Sequence, residues 1–389
     1  MEINQTLSKT KLTPRWSGSL YYVFSLMMAG SYMPFIYVYF TEIGLSGKFV
    51  GWLSTLSPII TILFVTFIAS IADRTRRRVK IAQIGLIGSG ISMLLLHFFT
   101  STVAITLLMF SMAVFSNPIM ALGDGLVSRM AKRHEVTYGS LRMWGSLSYA
   151  IASIIFGMLW QKMGYGTMFI VTALLYLPVI WIIGKVEEGP VVESEKRMPV
   201  SRLFRDEGIV LLLLATFLSG ISNSLFLTFG PIFARSLGAS STLIGLMVAF
   251  GGLAELPAMF FNERISNRLH KVNTVVLAYV LMAAGYAGYF FTKDPAVLPV
   301  ITVIRGFGYG LWFTGTVRLL IDRTPEEWAA TAQSLLVVCL SGLSPLLAGP
   351  LGGWIHDAIS PVAVFGLAIL SLFLGGIVLM IASMRGKLS

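Results

Sequence analysis

The chain has 389 residues, 56% of them hydrophobic and only 12% charged, whereas about a quarter of an ordinary soluble domain is charged. A mean hydropathy of +0.80 excludes a soluble globule, a disordered chain and a disulfide scaffold. It also excludes a nucleic-acid binder, despite the net charge of +11. The single cysteine, Cys339, lies in an apolar run, so neither a disulfide nor a thiolate metal site is possible within one chain. It is expected to be a buried, inert thiol.

The first fifteen residues, MEINQTLSKTKLTPR, are polar and lack an apolar core followed by a small-residue cleavage site. No removable signal peptide is expected, and the first helix serves as its own insertion signal. Apolar runs then predict membrane spans near 16–40, 48–72, 79–99, 102–130, 138–162, 166–186, 209–235, 240–262, 272–292, 296–321, 328–355 and 360–384. Twelve helices of about 20 residues use roughly 240 residues, which leaves short loops. Such continuous runs differ from the short alternating segments of a transmembrane β-barrel. The predicted fold class is therefore an all-α membrane protein with twelve transmembrane helices.

Basic residues set the expected orientation. Lys48, Lys162, Arg235 and Lys293 fall on one side, while Arg142, Arg305 and Arg318 lie within spans. The remaining Lys and Arg fall on the side of the termini, which the positive-inside rule places in the cytoplasm. The longest hydrophilic stretch, KVEEGPVVESEKRMPVSRLFRDE, follows the sixth span. It predicts two six-helix halves, 1–187 and 208–389, joined by a linker over 188–207. One constant offset superimposes Gly44 on Gly238, Gly51 on Gly245, Arg74 on Arg268 and Arg77 on Lys271, which implies an internal repeat of parallel topology.

The stretch Ala69-Ser70-Ile71-Ala72-Asp73-Arg74-Thr75-Arg76-Arg77-Arg78 resembles the signature loop of the major facilitator superfamily, with Ala69 and Arg76 where glycines are usual. Asn267-Arg268-Leu269-His270-Lys271 is a degenerate copy in the second half. The resemblance implies a gate formed by Asp73, Arg74 and Arg77, since a carboxylate at a helix end can face a neighbouring helix N-terminus or pair with an arginine. A plain topology signal is the competing reading.

Two carboxylates lie deep within spans, Asp124 in the fourth and Glu255 in the eighth. Each costs about 2.5–3.5 kcal/mol on insertion scales, which makes function the default explanation. Arg142 enters the fifth span at a depth matching Asp124, both roughly 6–10 Å below the surface at 1.5 Å per residue. The two are expected to pair, either as a substrate site or as a silent packing pair. The surrounding Gly139-Ser140-Leu141-Arg142-Met143-Trp144-Gly145 resembles the fifth helix of the lactose-permease-like branch. That resemblance implies that Asp124 and Arg142 grip a substrate hydroxyl or carboxylate and that the substrate stacks on Tyr149. Trp144 is assigned to packing.

The second half departs from the sugar permeases. Where their tenth helix carries His and Glu, this chain has Arg305 in Val303-Ile304-Arg305-Gly306-Phe307-Gly308. Any coupling carboxylate must therefore be Glu255 or Asp124. Glu255 is preferred because it has no basic residue near it in sequence, whereas Asp124 has Arg142, although Arg305 could reach Glu255. Gly251-Gly252-Leu253-Ala254-Glu255-Leu256-Pro257 resembles related facilitator families for aromatic acids, nucleosides and other small solutes. The excess of intramembrane arginine hints at an anionic group on the substrate. Tyr21, Tyr22, Tyr32 and Tyr37 in the first span and Asn223 in the seventh are candidate cavity-lining groups, with packing as the alternative; Tyr32 and Asn223 are assigned to substrate binding.

The chain has no Gly-x-x-x-x-Gly-Lys-Ser/Thr loop, no His-Glu-x-x-His motif and only scattered histidines. No cofactor, metal or enzymatic reaction is expected. Drug antiporters of the superfamily carry a Gly-Pro motif on the fifth helix; the fifth span here has none and a similar Gly349-Pro350 lies in the eleventh, so the comparison with that family implies uptake over efflux. The leading expectation is a monomeric proton-coupled symporter of a sugar, nucleoside or aromatic acid in a bacterial cytoplasmic membrane, with substrate, protons and bilayer lipid as its partners. An uncoupled facilitator or proton antiporter is the alternative. A receptor or scaffold without transport is a third reading.

Overall fold

The structure, a computed structural model, describes residues 13–187 and 200–388, excluding the side chains of 65, 66, 69, 73, 200–202, 326 and 330. The described residues contain no strand, in keeping with a hydrocarbon solvent that leaves a spanning segment to satisfy its own backbone groups. Among the described residues twelve helices are long and apolar enough to cross a membrane: α1 Pro14–Glu42, α2 from Gly47, α3 Arg78–Leu95, α4 Thr102–Arg133, α5 Tyr138–Met163, α6 Tyr165–Ile183, α7 Glu207–Ser236, α8 Ser241–Leu269, α9 Lys271–Phe291, α10 Pro295–Arg323, α11 Thr331–Ala358 and α12 Ala363–Met384. Residues 188–199 of the expected linker lie outside the described residues. Val200–Arg205 forms a 3-10 turn before α7.

The edges differ from the apolar runs where charge continues a helix into water. α2 extends to Thr75, so Asp73 and Arg74 belong to its last turn, where a cation complements the helix dipole. The side chain of Asp73 lies outside those described. α1 is interrupted by a turn over 33–35, where Pro34 breaks the helical hydrogen-bond ladder. α11 contains a π-helical segment, Val338–Leu343. Cys339 within it is half-buried rather than buried.

The repeat shows in the backbone. Gly44 and Gly238 have φ of 92° and 88°, and each closes its helix with the same pair of bonds, Gly44 N to Thr41 O with Leu45 N to Phe40 O, and Gly238 N to Arg235 O with Ala239 N to Ala234 O. A left-handed residue at this position favours glycine. The offset that relates these glycines also places Arg76 on His270, and both of these have positive φ.

The chain forms two compact units. In the first, made from residues up to 30, 63–149 and from 169, α3 approaches α4 closely enough that a side chain on Gly85 would strike Phe115 O and Ile119. Ser92 and Ser111 share a 2.9 Å hydrogen bond there, and Gln83 donates to Ile180 O on α6 at 3.1 Å.

The second unit contains 31–62, 150–168 and the rest of the chain. Its α8 and α10 meet backbone to backbone, since a side chain on Gly306 would overlap Gly251 O and one on Gly310 would reach Glu255 O. In the same unit α2 and α11 touch through Gly51 and Gly349 and through Gly47 and Gly353, while α5 and α8 touch through Ser153 with Gly245 and Gly157 with Ser241. Small residues let membrane helices approach this closely. The α2–α11 contact ends in a charged cap: Asp357 Oδ1 accepts from Gly47 N and Oδ2 from Lys48 N, both at 2.8 Å. The α5–α8 contact ends in a neutral bond, Thr242 to Gln161, and Ser241 of α8 donates to Tyr165 at the start of α6 at 2.8 Å.

Candidate functional site

Polar groups converge in each unit. In the first, Arg142 Nη1 lies 3.3 Å from both carboxylate oxygens of Asp124, so the two residues paired from sequence depth are in direct contact. Tyr22 of α1 donates to Asp124 Oδ1 at 2.6 Å. Its oxygen is also 2.9 Å from the Tyr138 hydroxyl, which accepts from Arg142 Nη1 at 3.4 Å. A phenol has one proton, so with Tyr22 donating to Asp124, Tyr138 donates to Tyr22. The donors run in one direction, Arg142 to Tyr138 to Tyr22 to Asp124, and Arg142 closes the ring on Asp124.

Helix packing places these groups. Gly123, beside Asp124, leaves room for the Tyr21 hydroxyl, and Gly145 accommodates Tyr22 and Leu26. Ser148 bonds Val23 O at 2.8 Å, tying α5 to α1. Tyr22 is 3% exposed, whereas the side chains of Arg142 and Asp124 are 47% and 33% exposed. The ring is therefore anchored at a buried phenol and accessible at its two charges.

In the second unit Arg305 of α10, 4% exposed, lies with its guanidinium carbon 3.9 Å from the centroid of the Phe226 ring on α7. A desolvated cation–π contact of this kind contributes about 2 kcal/mol. Arg305 Nη1 donates to Asn223 Oδ1 at 3.4 Å, and its Nε has no partner among the described residues. Glu255, half-buried on α8, is within electrostatic reach of Arg305. Gly285 of α9 gives the Arg305 backbone and Cβ room to approach.

The assigned residues thus fall into Asp124 with Arg142, and Asn223 with Arg305 near Glu255. Tyr149 sits half-buried further along α5. Tyr32 is buried at the end of the first segment of α1 and belongs to the second unit, not to the unit of Asp124. Arg74 and Arg77 are exposed at the α2–α3 turn. Trp144, assigned to packing, is 48% exposed and so is not part of the protein core. Sequence reasoning did not single out Tyr138, Phe226 or Tyr309. Tyr138 carried a signal, one helical turn before Arg142 on the same face.

Known proteins match this chain over most of its length. The maltose permease of Geobacillus stearothermophilus is 27% identical over 385 residues, 95% of this chain and 94% of the permease. The purine ribonucleoside efflux pump NepI of Salmonella enteritidis is 22% identical over 336 residues, 84% of this chain and 83% of the pump. The crystal structure of a mutant of the nucleoside transporter NupG shares the fold with a TM-score of 0.84 at 13% identity, covering 95% of this chain and 99% of that one. The MFS_1 like family matches residues 15–367; this chain belongs to that family, and it is a multi-pass membrane transporter of the twelve-helix major facilitator fold.

Proposed function

We propose that this transporter is a proton-coupled symporter that takes up a small solute bearing adjacent ring hydroxyls, either a free sugar or the sugar of a nucleoside. The observation that carries the reading is the accessible ring of Asp124, Arg142, Tyr22 and Tyr138. An ion pair as exposed as Asp124–Arg142 adds only about 0.2–1 kcal/mol to stability, less than the cost of holding either charge in a span. Fold stability does not account for it. Its donors and acceptors match a pair of hydroxyls, each of which both donates and accepts, and Tyr149 offers an aromatic face for the sugar ring. The similarity to a maltose permease and to a purine ribonucleoside pump supports this solute class. The second of these favours one competing reading, proton antiport with export.

In this reading Glu255 carries the proton and Asp124 is the alternative, while Arg305, Asn223 and Tyr32 contribute to substrate binding. Asp73, Arg74 and Arg77 gate the cytoplasmic side, so Asp73→Asn shifts the accessibility of engineered cysteines from one side to the other. The protein works as a monomer in a bacterial cytoplasmic membrane with both termini inside, its halves 1–187 and 208–389 rocking about the linker at 188–207.

Purified protein in liposomes with an imposed pH gradient, acid outside, tests this with radiolabelled maltose, glucose, inosine and uridine. Uphill accumulation of at least one is expected, and Glu255→Gln should abolish accumulation while leaving exchange measurable. Undiminished uphill uptake by that variant would move coupling to Asp124. Proton exit accompanying solute entry would establish antiport.

A further inference from the structure

Arg305 is a buried cation that forms no ion pair with a carboxylate among the described residues. Its guanidinium carbon lies 3.9 Å from the Phe226 centroid and 5.9 Å from that of Tyr309, its Nη1 donates to Asn223 Oδ1 at 3.4 Å, and it also hydrogen-bonds the Tyr286 hydroxyl. Among the described residues no ion pair joins it to Glu255, although the two charges act on each other. The other titratable groups around Arg305 are Tyr286 and Tyr289 of α9 and Tyr309 of α10. Tyr286 donates to Ser222 O at 3.0 Å, and Tyr289 is bonded to Thr302. In a low-dielectric span a guanidinium is drawn strongly to a carboxylate. Here an uncharged ring holds it instead, through the negative face of its quadrupole.

We propose that Phe226 is a positioning residue for proton coupling, its ring holding Arg305 away from Glu255 while Glu255 takes up a proton. This rests on Glu255 being the proton carrier. When Arg305 leaves the ring and approaches, the Glu255 O–H bond breaks and the proton passes to water. The carboxylate that remains pairs with Arg305, which keeps its own proton throughout. A ring suits this role because it attracts the cation without a competing negative charge and releases it without stranding one. Phe226 is 3% exposed and sits edge-to-face on Tyr289 at 5.7 Å, so its face stays fixed as the arginine moves.

The test needs no substrate. Dicyclohexylcarbodiimide reacts with protonated carboxyls in apolar surroundings, and mass spectrometry of the Glu255 peptide reads the extent of reaction as a function of pH. In detergent-purified full-length protein, Glu255 is expected to label with a definite pH midpoint. Phe226→Leu removes the ring but keeps an apolar side chain, freeing Arg305 to pair with Glu255. The midpoint should then move about one pH unit toward acid, the direction an approaching cation imposes. Phe226→Tyr keeps the ring face and should restore the wild-type midpoint, which loss of packing alone would not explain. Thermal unfolding checks that each variant folds, and Phe226→Met replaces the leucine variant if that one does not. An unmoved midpoint in a folded leucine or methionine variant overturns the role of Phe226 and leaves Glu255 as the carrier. No labelling of wild-type Glu255 at any pH overturns both.

Discussion

Asp357→Ala should release the first turn of α2. Its two carboxylate oxygens accept from Gly47 N and Lys48 N at 2.8 Å, amides that have no partner within their own helix. The Asp357 side chain is 23% exposed and also touches His356 Nδ1 at 2.9 Å. Bonds to a charged acceptor contribute about 1.5–3 kcal/mol when buried, and loss of an N-cap typically costs about 1 kcal/mol. With this exposure a loss of about 1–2 kcal/mol is expected, a factor of roughly 5–30 in the local opening equilibrium. Hydrogen–deuterium exchange of a peptide spanning residues 44–52 should accelerate by that factor at the two capped amides. Asp357→Asn keeps one carbonyl oxygen and should give an intermediate rate, whereas Lys48→Ala, which leaves the amide in place, should change nothing. Exchange at wild-type rates in the alanine variant would show that the cap does not hold this contact closed.

Other substitutions test the packing and the ring. Gly349→Val places a branched side chain against Gly51 O and Thr55; overpacking against backbone should destabilise by about 1–3 kcal/mol, seen as a lower melting temperature. Tyr22→Phe deletes the hydroxyl 2.6 Å from Asp124 and 2.9 Å from Tyr138, and a loss of about 0.5–1.5 kcal/mol should appear in thermal unfolding, with an unchanged transition refuting the ring. Gly238→Ala, at a φ of 88°, should cost about 1–2 kcal/mol. Gly252→Ala, in a helix with open space around the new methyl, should be neutral or stabilising by up to about 1 kcal/mol, so the first substitution should lower the melting temperature and the second should not.

Sequence revealed the spans because each apolar run is as long as a bilayer is thick, and it revealed the Asp124–Arg142 contact because matched depth on consecutive helices limits where two charges can go. Other features were hidden for identifiable reasons. The ring closes only because α1 is rotated so that the Tyr22 hydroxyl reaches Asp124 while that of neighbouring Tyr21 sits against Gly123, and sequence alone does not say which of two adjacent tyrosines makes the bond. Phe226 is one of 26 phenylalanines, and nothing in its local sequence marks it as the seat of an arginine one span pair away. The π-helical segment around Cys339 shifts the helical register within α11, which period-based reading cannot follow. Asp357 carries no mark in the sequence because the groups it binds are backbone amides.

A contact between two side chains constrains both positions, and compensating changes leave a covarying pair. The cap on α2 leaves position 48 unconstrained, since any residue other than proline there presents the same N–H, whereas a side chain at 47 would strike Asp357 Oδ1 and His356. Residue 48 is free to drift while the carboxylate and the glycine at 47 stay constant, so an essential contact of this kind would register in a family comparison as an invariant acid and an invariant glycine with no coevolving pair.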